Sequence, residues 1–330
     1  MIITQTPLRI SFAGGGTDLK EFYSREGGCV VSTAIDKYVY VILKERFDRK
    51  IYINYTKKEI VDSVDEIEHG LVREAMKKAG ITDGVEITTL ADVPSEGTGL
   101  GSSSSITVGL LNACYLHQGQ QKTAEDLARE ACEIEIDILG KPIGLQDQYI
   151  AAYGSLRSFQ FQKDGTVQQQ DIRIRDTARR KLESNLLLFF TDQTRRSEAV
   201  LSQQREHTVK NSHILSGMKQ LAEATRACLE KEDFDELGRL LHVGWTEKKK
   251  LADNVTNERI DALYDAAIKA GALGGKITGA GGGGFLLLYC PPHRQEDVRA
   301  VMCHLRELPF HMERDGSKAV LNIRRYDWRA

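Results

Sequence analysis

A chain of 330 residues is longer than a single hydrophobic core usually fills, so two packed domains with a cleft between them are expected. Fractions of 41% hydrophobic and 28% charged residues exclude disorder, and 6 Pro against 29 Gly exclude a collagen-like or proline-rich architecture. With 45 Lys+Arg against 47 Asp+Glu the net charge is -2, so no global field draws the protein to nucleic acid or an anionic membrane, and any polyanion must be met locally.

The longest apolar runs, such as Phe285 to Cys290, are six residues, against the roughly 20 that a spanning helix needs. The start has neither a basic n-region nor an apolar core, so no signal peptide is read and a cytoplasmic location is expected. The 6 Cys are scattered without a CxxC pair, as buried thiols in a reducing compartment would be.

Leu8 to Phe12 alternates as a strand, a Gly-rich turn follows at Gly14 to Gly16, and Val30 to Leu43 is rich in β-branched and aromatic residues. Glu66 to Ala79 has helical spacing closed by Gly80, and Val85 to Leu90 reads as a strand. Val93 to Gly101 is a Gly-rich loop, after which Ser102 to Ser105 lead into apolar positions 106, 110, 111 and 114 at helical spacing. A second helix starts at Thr123, with Asp126 three residues on in a capping box, and stops before Gly140. Lys163 to Thr166 turns a hairpin. A stretch rich in Arg, Lys and Glu at 176 to 184 precedes the buried strand Leu186 to Phe190, and the boundary placed there gives domains 1–178 and 179–330. Helix dominates to Ala270, followed by a strand at Phe285 to Tyr289, a helix around Gln295 to Arg306 and a closing strand at Ala319 to Arg324. Helices segregated from strands make the fold class α+β.

The order strand, glycine loop, helix start places unpaired backbone N–H groups and serine hydroxyls where an anion is favoured. The helix dipole contributes only about 0.3 to 1 kcal/mol, too little for a nucleoside triphosphate, so a metal ion is expected to share the charge. Familiar nucleotide motifs fail on context. Gly279, Gly281 and Gly284 form a G-x-G-x-x-G that runs into a strand and not a helix. Gly275-Lys276 is followed by Ile277 where a P-loop needs Ser or Thr, and no HRD or DFG triplet occurs.

Three segments in order, Pro7 to Asp18 (PLRISFAGGGTD), Pro94 to Ser104 (PSEGTGLGSSS) and Lys276 to Gly284 (KITGAGGGG), resemble the motifs of the GHMP small-molecule kinase superfamily. Within it the likeness is greatest to the heptose 7-phosphate kinases, through RISFAGGGTD. Galactokinases have a Glu-His pair where this chain has Gly15 and Gly16.

The resemblance implies an N-terminal domain like ribosomal protein S5 domain 2, a ferredoxin-like C-terminal domain, and substrate between them. ATP would lie on the central loop, against Pro94, Gly97, Gly99, Leu100, Gly101, Ser102, Ser103 and Ser104. Asp147, in Gly144-Leu145-Gln146-Asp147-Gln148, is implied as the base beside the accepting hydroxyl, with Arg9 to pair with it and offset developing charge. Ser103 and Glu135 are the implied Mg²⁺ ligands, with Glu133 and Asp137 as neighbouring substitutes. Gly15, Gly16, Thr17 and Asp18, with Gly281 and Gly282 of the third motif, would hold the sugar, and Arg195, Arg196 or Lys248 to Lys250 a phosphate already on it.

The implied activity is ATP-dependent phosphorylation of a sugar or sugar-phosphate hydroxyl, with the anomeric hydroxyl of D-glycero-D-manno-heptose 7-phosphate as the expected acceptor. A kinase of free fucose or galactose, and a non-catalytic sugar sensor, remain as alternatives. The partner implied is a small-molecule sugar phosphate, and a homodimer is left open.

Overall fold

The structure, a computed structural model, describes residues 1–94, 97–193 and 197–323, with Ser197 and Glu198 through their backbone alone. Apolar residues alternating with short polar ones make a long first strand, β1 (Ile2–Ala13), which pairs antiparallel with β2 (Gly28–Glu45) across the helix α1 (Lys20–Glu26). A short hairpin of β3 (Ile51–Asn54) and β4 (Lys58–Val61) leads to α2 (Gly70–Ala79), which ends on Gly80 in the left-handed conformation, and then to β5 (Val85–Ala91). The helices α3 (Ser102–His117), α4 (Ala124–Cys132) and α5 (Gln146–Tyr153) follow, then the hairpin β6 (Leu156–Phe161) and β7 (Val167–Asp171). The Thr123–Asp126 capping box forms as expected at the start of α4. Beyond Cys132 the helix does not simply stop; it widens into a π-helical stretch, Glu133–Ile138.

The second half comprises α6 (Asp176–Ser184), β8 (Leu186–Phe190), α7 (Ser197–Glu206), α8 (Ser212–Glu230), α9 (Phe234–Lys248), α10 (Glu258–Lys269), β9 (Gly274–Ile277), β10 (Phe285–Tyr289), α11 (Gln295–Val301), β11 (Arg306–Glu307) and β12 (Lys318–Asn322). Its sheet runs β11-β8-β10-β9, antiparallel throughout, the strand order of a ferredoxin-like domain. β8 and β10 are unbroken apolar runs because both their faces are covered. Leu186, Leu188, Phe285 and Leu287 pack with α8, α9 and the first sheet, while Leu187, Phe189, Leu286 and Leu288 pack with α10 and α11.

The first sheet has eight strands in the order β12-β1-β2-β5-β3-β4, with β6 and β7 attached to the far half of β2. One face is covered by α2 to α5 and the other by α8 and α9. The sequence division placed residues 179–330 together; hydrogen bonding from Ile2↔Asn322 to Gln5↔Lys318 instead returns β12 to the first sheet. The helix expected to reach Arg306 ends at Val301, because Arg306 and Glu307 join the edge of β8. Among the described residues no helix is long and apolar enough to cross a membrane. The cysteines are free, and all but Cys303 are buried.

Candidate active site

A cleft of about 880 Å³ opens between the halves, lined from both of them. Its centre is the start of α3. Gly97, Gly99 and Gly101 take φ of 71°, 73° and 77°, and Gly101 caps the helix from the left-handed region. Gly99 could not carry a side chain: a Cβ there would lie 2.4 Å from the Thr278 carbonyl oxygen, just as one on Gly279 would lie 2.6 Å from the Gly99 Cα. The Thr278 hydroxyl donates to the Thr98 carbonyl at 3.1 Å, so the third glycine motif is joined to the central loop across the cleft.

Ser102, Ser103 and Ser104 line the cleft, and the buried Ser102 hydroxyl has no hydrogen-bond partner among the described residues. An open helix start and an orphaned donor fit the phosphates of a nucleotide. Leu100, which is buried, and Pro94, which is exposed, both lie outside this lining. Leu100 serves through its carbonyl, which accepts from the Arg9 backbone at 3.0 Å. The far end of the cleft is more apolar, with Tyr55, His69, Leu71, Leu90 and Val93. There the His69 ring stands edge-on to Tyr55 at 4.6 Å, and burial lowers the His69 pKa.

α5 carries Asp147 and β1 carries Arg9 into the cleft. The guanidinium Nε donates to Oδ1 and Nη2 to Oδ2, each at 2.7 Å, and Nη1 donates to the Gly99 carbonyl. Arg9 is 5% exposed and Asp147 24%, so the carboxylate keeps an open side toward the cleft.

The π-helical stretch turns Glu135 inward, where it is fully buried. Its Oε2 accepts from Gln148 at 2.8 Å and its Oε1 from the Ser103 hydroxyl at 2.6 Å. Glu133 instead pairs with Lys78 at 2.5 Å, and Asp137 is exposed. Of the three carboxylates, Glu135 reaches the serine loop. No group of three or more His, Cys, Asp or Glu that could hold a metal occurs among the described residues. One carboxylate and one hydroxyl, both hard oxygen donors, suit Mg²⁺, which is commonly held by one or two carboxylates together with substrate phosphates. Lys141 Nζ also sits here, 2.6 Å from Ser103 Oγ and 3.0 Å from Glu135 Oε1.

Asp18 is buried beside Asp147, with Oδ1 accepting from the Gly16 backbone at 2.9 Å and Oδ2 from that of Gln146 at 3.3 Å. Desolvation, then the Asp147 charge, raise its pKa. Gly15, Gly16 and Gly281 line the cleft. Thr17 and Gly282 do not. The Thr17 hydroxyl is turned inward to the Gly14 and Cys29 carbonyls at 2.7 and 2.9 Å, bracing the loop, and the Gly282 N–H donates to Val255 at 2.7 Å.

Arg195 and Arg196 lie outside the described residues. Of the lysine run, Lys249 pairs with Asp261 at 3.1 Å and Lys250 with Glu247 at 2.6 Å, whereas Lys248 lines the cleft and donates to the Gly279 carbonyl. Desolvation, then Arg9, lower its pKa to about 8 against the opposing pull of Asp18 and Asp147. The run signalled charge, and only its register on α9 decides which lysine turns inward. Lys141 and Gln146, which also line the cleft, are contributions that sequence reasoning missed.

Such a site defines a phosphotransferase that acts on a small molecule. Residues 66–155 match the GHMP kinases N terminal domain and residues 225–305 the GHMP kinases C terminal domain. The chain is 32% identical over 314 residues to the D-glycero-alpha-D-manno-heptose 7-phosphate kinase of Campylobacter jejuni, covering 90% of this chain and 91% of that protein. It is 27% identical to the L-fucokinase/L-fucose-1-P guanylyltransferase of Bacteroides fragilis, over 90% of this chain and 35% of that protein. A D-glycero-D-manno-heptose 1-phosphate kinase from Bacteroides thetaiotaomicron superposes with a TM-score of 0.81 at 28% identity, over 97% of this chain and 98% of that one. A Lactococcus lactis galactokinase shares the fold with a TM-score of 0.77 at 18% identity, over 96% of this chain and 94% of that one. The chain belongs to the GHMP kinase family. Within that family it is an ATP-dependent sugar kinase.

Proposed function

We propose that the protein transfers the γ-phosphoryl group of ATP to the anomeric hydroxyl of D-glycero-D-manno-heptose 7-phosphate, giving the 1,7-bisphosphate and ADP. The observation that carries this reading is the acceptor end of the cleft. Asp147 is clamped by Arg9 next to Asp18, on a floor formed by Gly15 and Gly16 that has no side chains to close it to a long acceptor. The heptose 7-phosphate kinase of Campylobacter jejuni, similar over nearly the whole chain, supports it.

Asp147 takes the proton of the acceptor hydroxyl as that oxygen bonds to phosphorus and the bond to the β,γ-bridging oxygen breaks. Arg9 fixes the orientation of the carboxylate through both of its oxygens. Backbone N–H groups at the start of α3 and the Ser102 hydroxyl hold the phosphates. Ser103 and Glu135 would hold Mg²⁺, which when bound offsets the charge of the β- and γ-phosphates. Asp18 orients a sugar hydroxyl, and Lys248 is the cleft lysine beside Asp18 and Asp147 for an anionic group.

The test compares kcat/KM for mannoheptose 7-phosphate with that for mannoheptose, galactose and fucose. A site with cations awaiting a phosphate should reject the acceptor that lacks it by about 10⁴. Equal or better use of any free sugar overturns the assignment in favour of a free-sugar kinase.

A further inference from the structure

We propose that Lys141 is an internal stand-in for the metal: its ammonium holds Ser103 and Glu135 together while no divalent cation is present, leaves when one arrives, and then faces the nucleotide phosphates. This rests on the reading above that Ser103 and Glu135 are the metal pair.

The geometry is that of a shared position. Glu135 is fully buried, and a buried carboxylate with no cation nearby is strongly disfavoured. Gln148 satisfies Oε2, but as an amide it brings no charge. The compensating charge at Oε1 is Lys141 Nζ at 3.0 Å, and the same nitrogen lies 2.6 Å from Ser103 Oγ. The Ser103 hydroxyl donates its proton to Glu135 and accepts from Lys141, which closes a triangle of three groups. A magnesium ion reaching these two oxygens at its usual separation of about 2.0 to 2.1 Å would meet the ammonium at close range, and two like charges cannot share that space.

Lys141 is also built to leave. It follows the end of the π-helical stretch and Gly140, which has a φ of 67°, and the loop it sits on is tied to Glu135 by its backbone N–H at 2.9 Å, not by its side chain alone. The side chain is 22% exposed and lines the cleft beside the serine loop, so rotation about its own bonds carries the ammonium from the carboxylate toward the phosphate position. A lysine locked into a permanent ion pair would be expected deeper in the protein and away from the cleft wall.

Titration of Mn²⁺ into the nucleotide-free full-length protein, with free ion followed by electron paramagnetic resonance, separates the possibilities. Lys141→Met and the polar variant Lys141→Gln should bind Mn²⁺ about tenfold or more tightly than wild type, since a competing charge has been removed. Both should bind a non-hydrolysable ATP analogue more weakly, so metal and nucleotide affinities move in opposite directions. Lys141→Gln keeps a hydrogen-bonding group for Glu135 and gives a folded comparison if the methionine variant is unstable. Unchanged Mn²⁺ affinity in the Lys141 variants, with affinity lost in Glu135→Gln, overturns the stand-in role and leaves the metal pair in place. Unchanged affinity in Glu135→Gln overturns the metal pair itself and the proposal with it.

Discussion

Arg9 and Asp147, 138 residues apart, meet as a two-pronged ion pair with both contacts at 2.7 Å. The pair spans β1 and α5, so the orientation of the Asp147 carboxylate is set by the sheet as well as by its own helix. Asp147→Asn should lower kcat by about 10² or more with ATP affinity little changed. Arg9→Lys keeps the charge and loses the fork, and should cost about tenfold in kcat. Arg9→Met should also destabilise the fold by about 3 kcal/mol, the low end for breaking a buried pair, because Asp147 keeps contact with solvent. Steady-state kinetics and urea unfolding check these values; near wild-type turnover in Asp147→Asn removes the residue from the mechanism.

Ser103→Ala and Glu135→Gln each remove one hard oxygen donor from the same spot. Both should raise the Mg²⁺ concentration needed for half-maximal velocity. Titrations of the two variants that overlay the wild-type curve would place the ligands elsewhere.

Two glycines make opposite predictions. A Cβ on Gly99 meets the Thr278 carbonyl at 2.4 Å at a φ of 73°, so Gly99→Ala should pry the central loop from the third motif and raise the KM for ATP. A Cβ on Gly144 meets Asp18 Oδ2 at 2.0 Å, so Gly144→Ala should push Asp18 aside and raise the KM for the sugar alone. Measuring both KM values for both variants decides it, and a common effect on the two substrates would show that the loops act as one unit.

Burial of Lys248 has a pH signature. Its folded pKa of about 8 lies below the ordinary 10.5, so between these values the unfolded chain binds the proton and the native one does not. Stability therefore rises with pH across that window, by at most about 3 kcal/mol, and below pH 8 the full cost of the buried ammonium is present. Lys276, held low by desolvation and then by the Lys248 and Arg9 charges, adds in the same direction. Urea unfolding of wild type and Lys248→Met at pH 7.5, 9 and 10 should show the difference narrowing or reversing in favour of wild type as pH rises. A pH-independent difference contradicts this account.

The three glycine motifs, the α4 capping box and the buried strands β8 and β10 were legible in the sequence because each depends on local chemistry or on a simple period. Glu135 could be singled out among its neighbours by resemblance alone. A 3.6-residue pattern carries no sign of a π-helical stretch, which is what turns Glu135 inward. β9 escaped notice since Gly274 and Gly275 have poor strand propensity; a Cβ on either would strike the backbone of Gly238 or Leu287 at 2.0 or 2.3 Å. Nothing in the sequence singles out Lys141, and Lys248 stands out only as one of a run of three candidate lysines, so tertiary placement alone distinguishes them.

The return of β12 to β1 makes the order of synthesis matter. Ile2 to Gln5 are bonded to β2 on one side and to residues 318–322 on the other. As the chain leaves the ribosome, the outer edge of β1 has no neighbour until nearly the last residue described has emerged, and an open strand edge is the surface on which chains pair with one another. Closing so long a loop is slow but adds little entropic penalty for its length. Once closed, it staples β1 to β12, so the two halves should melt in a single transition, and proteolytic loss of β12 should expose the edge of β1 and lead to self-association.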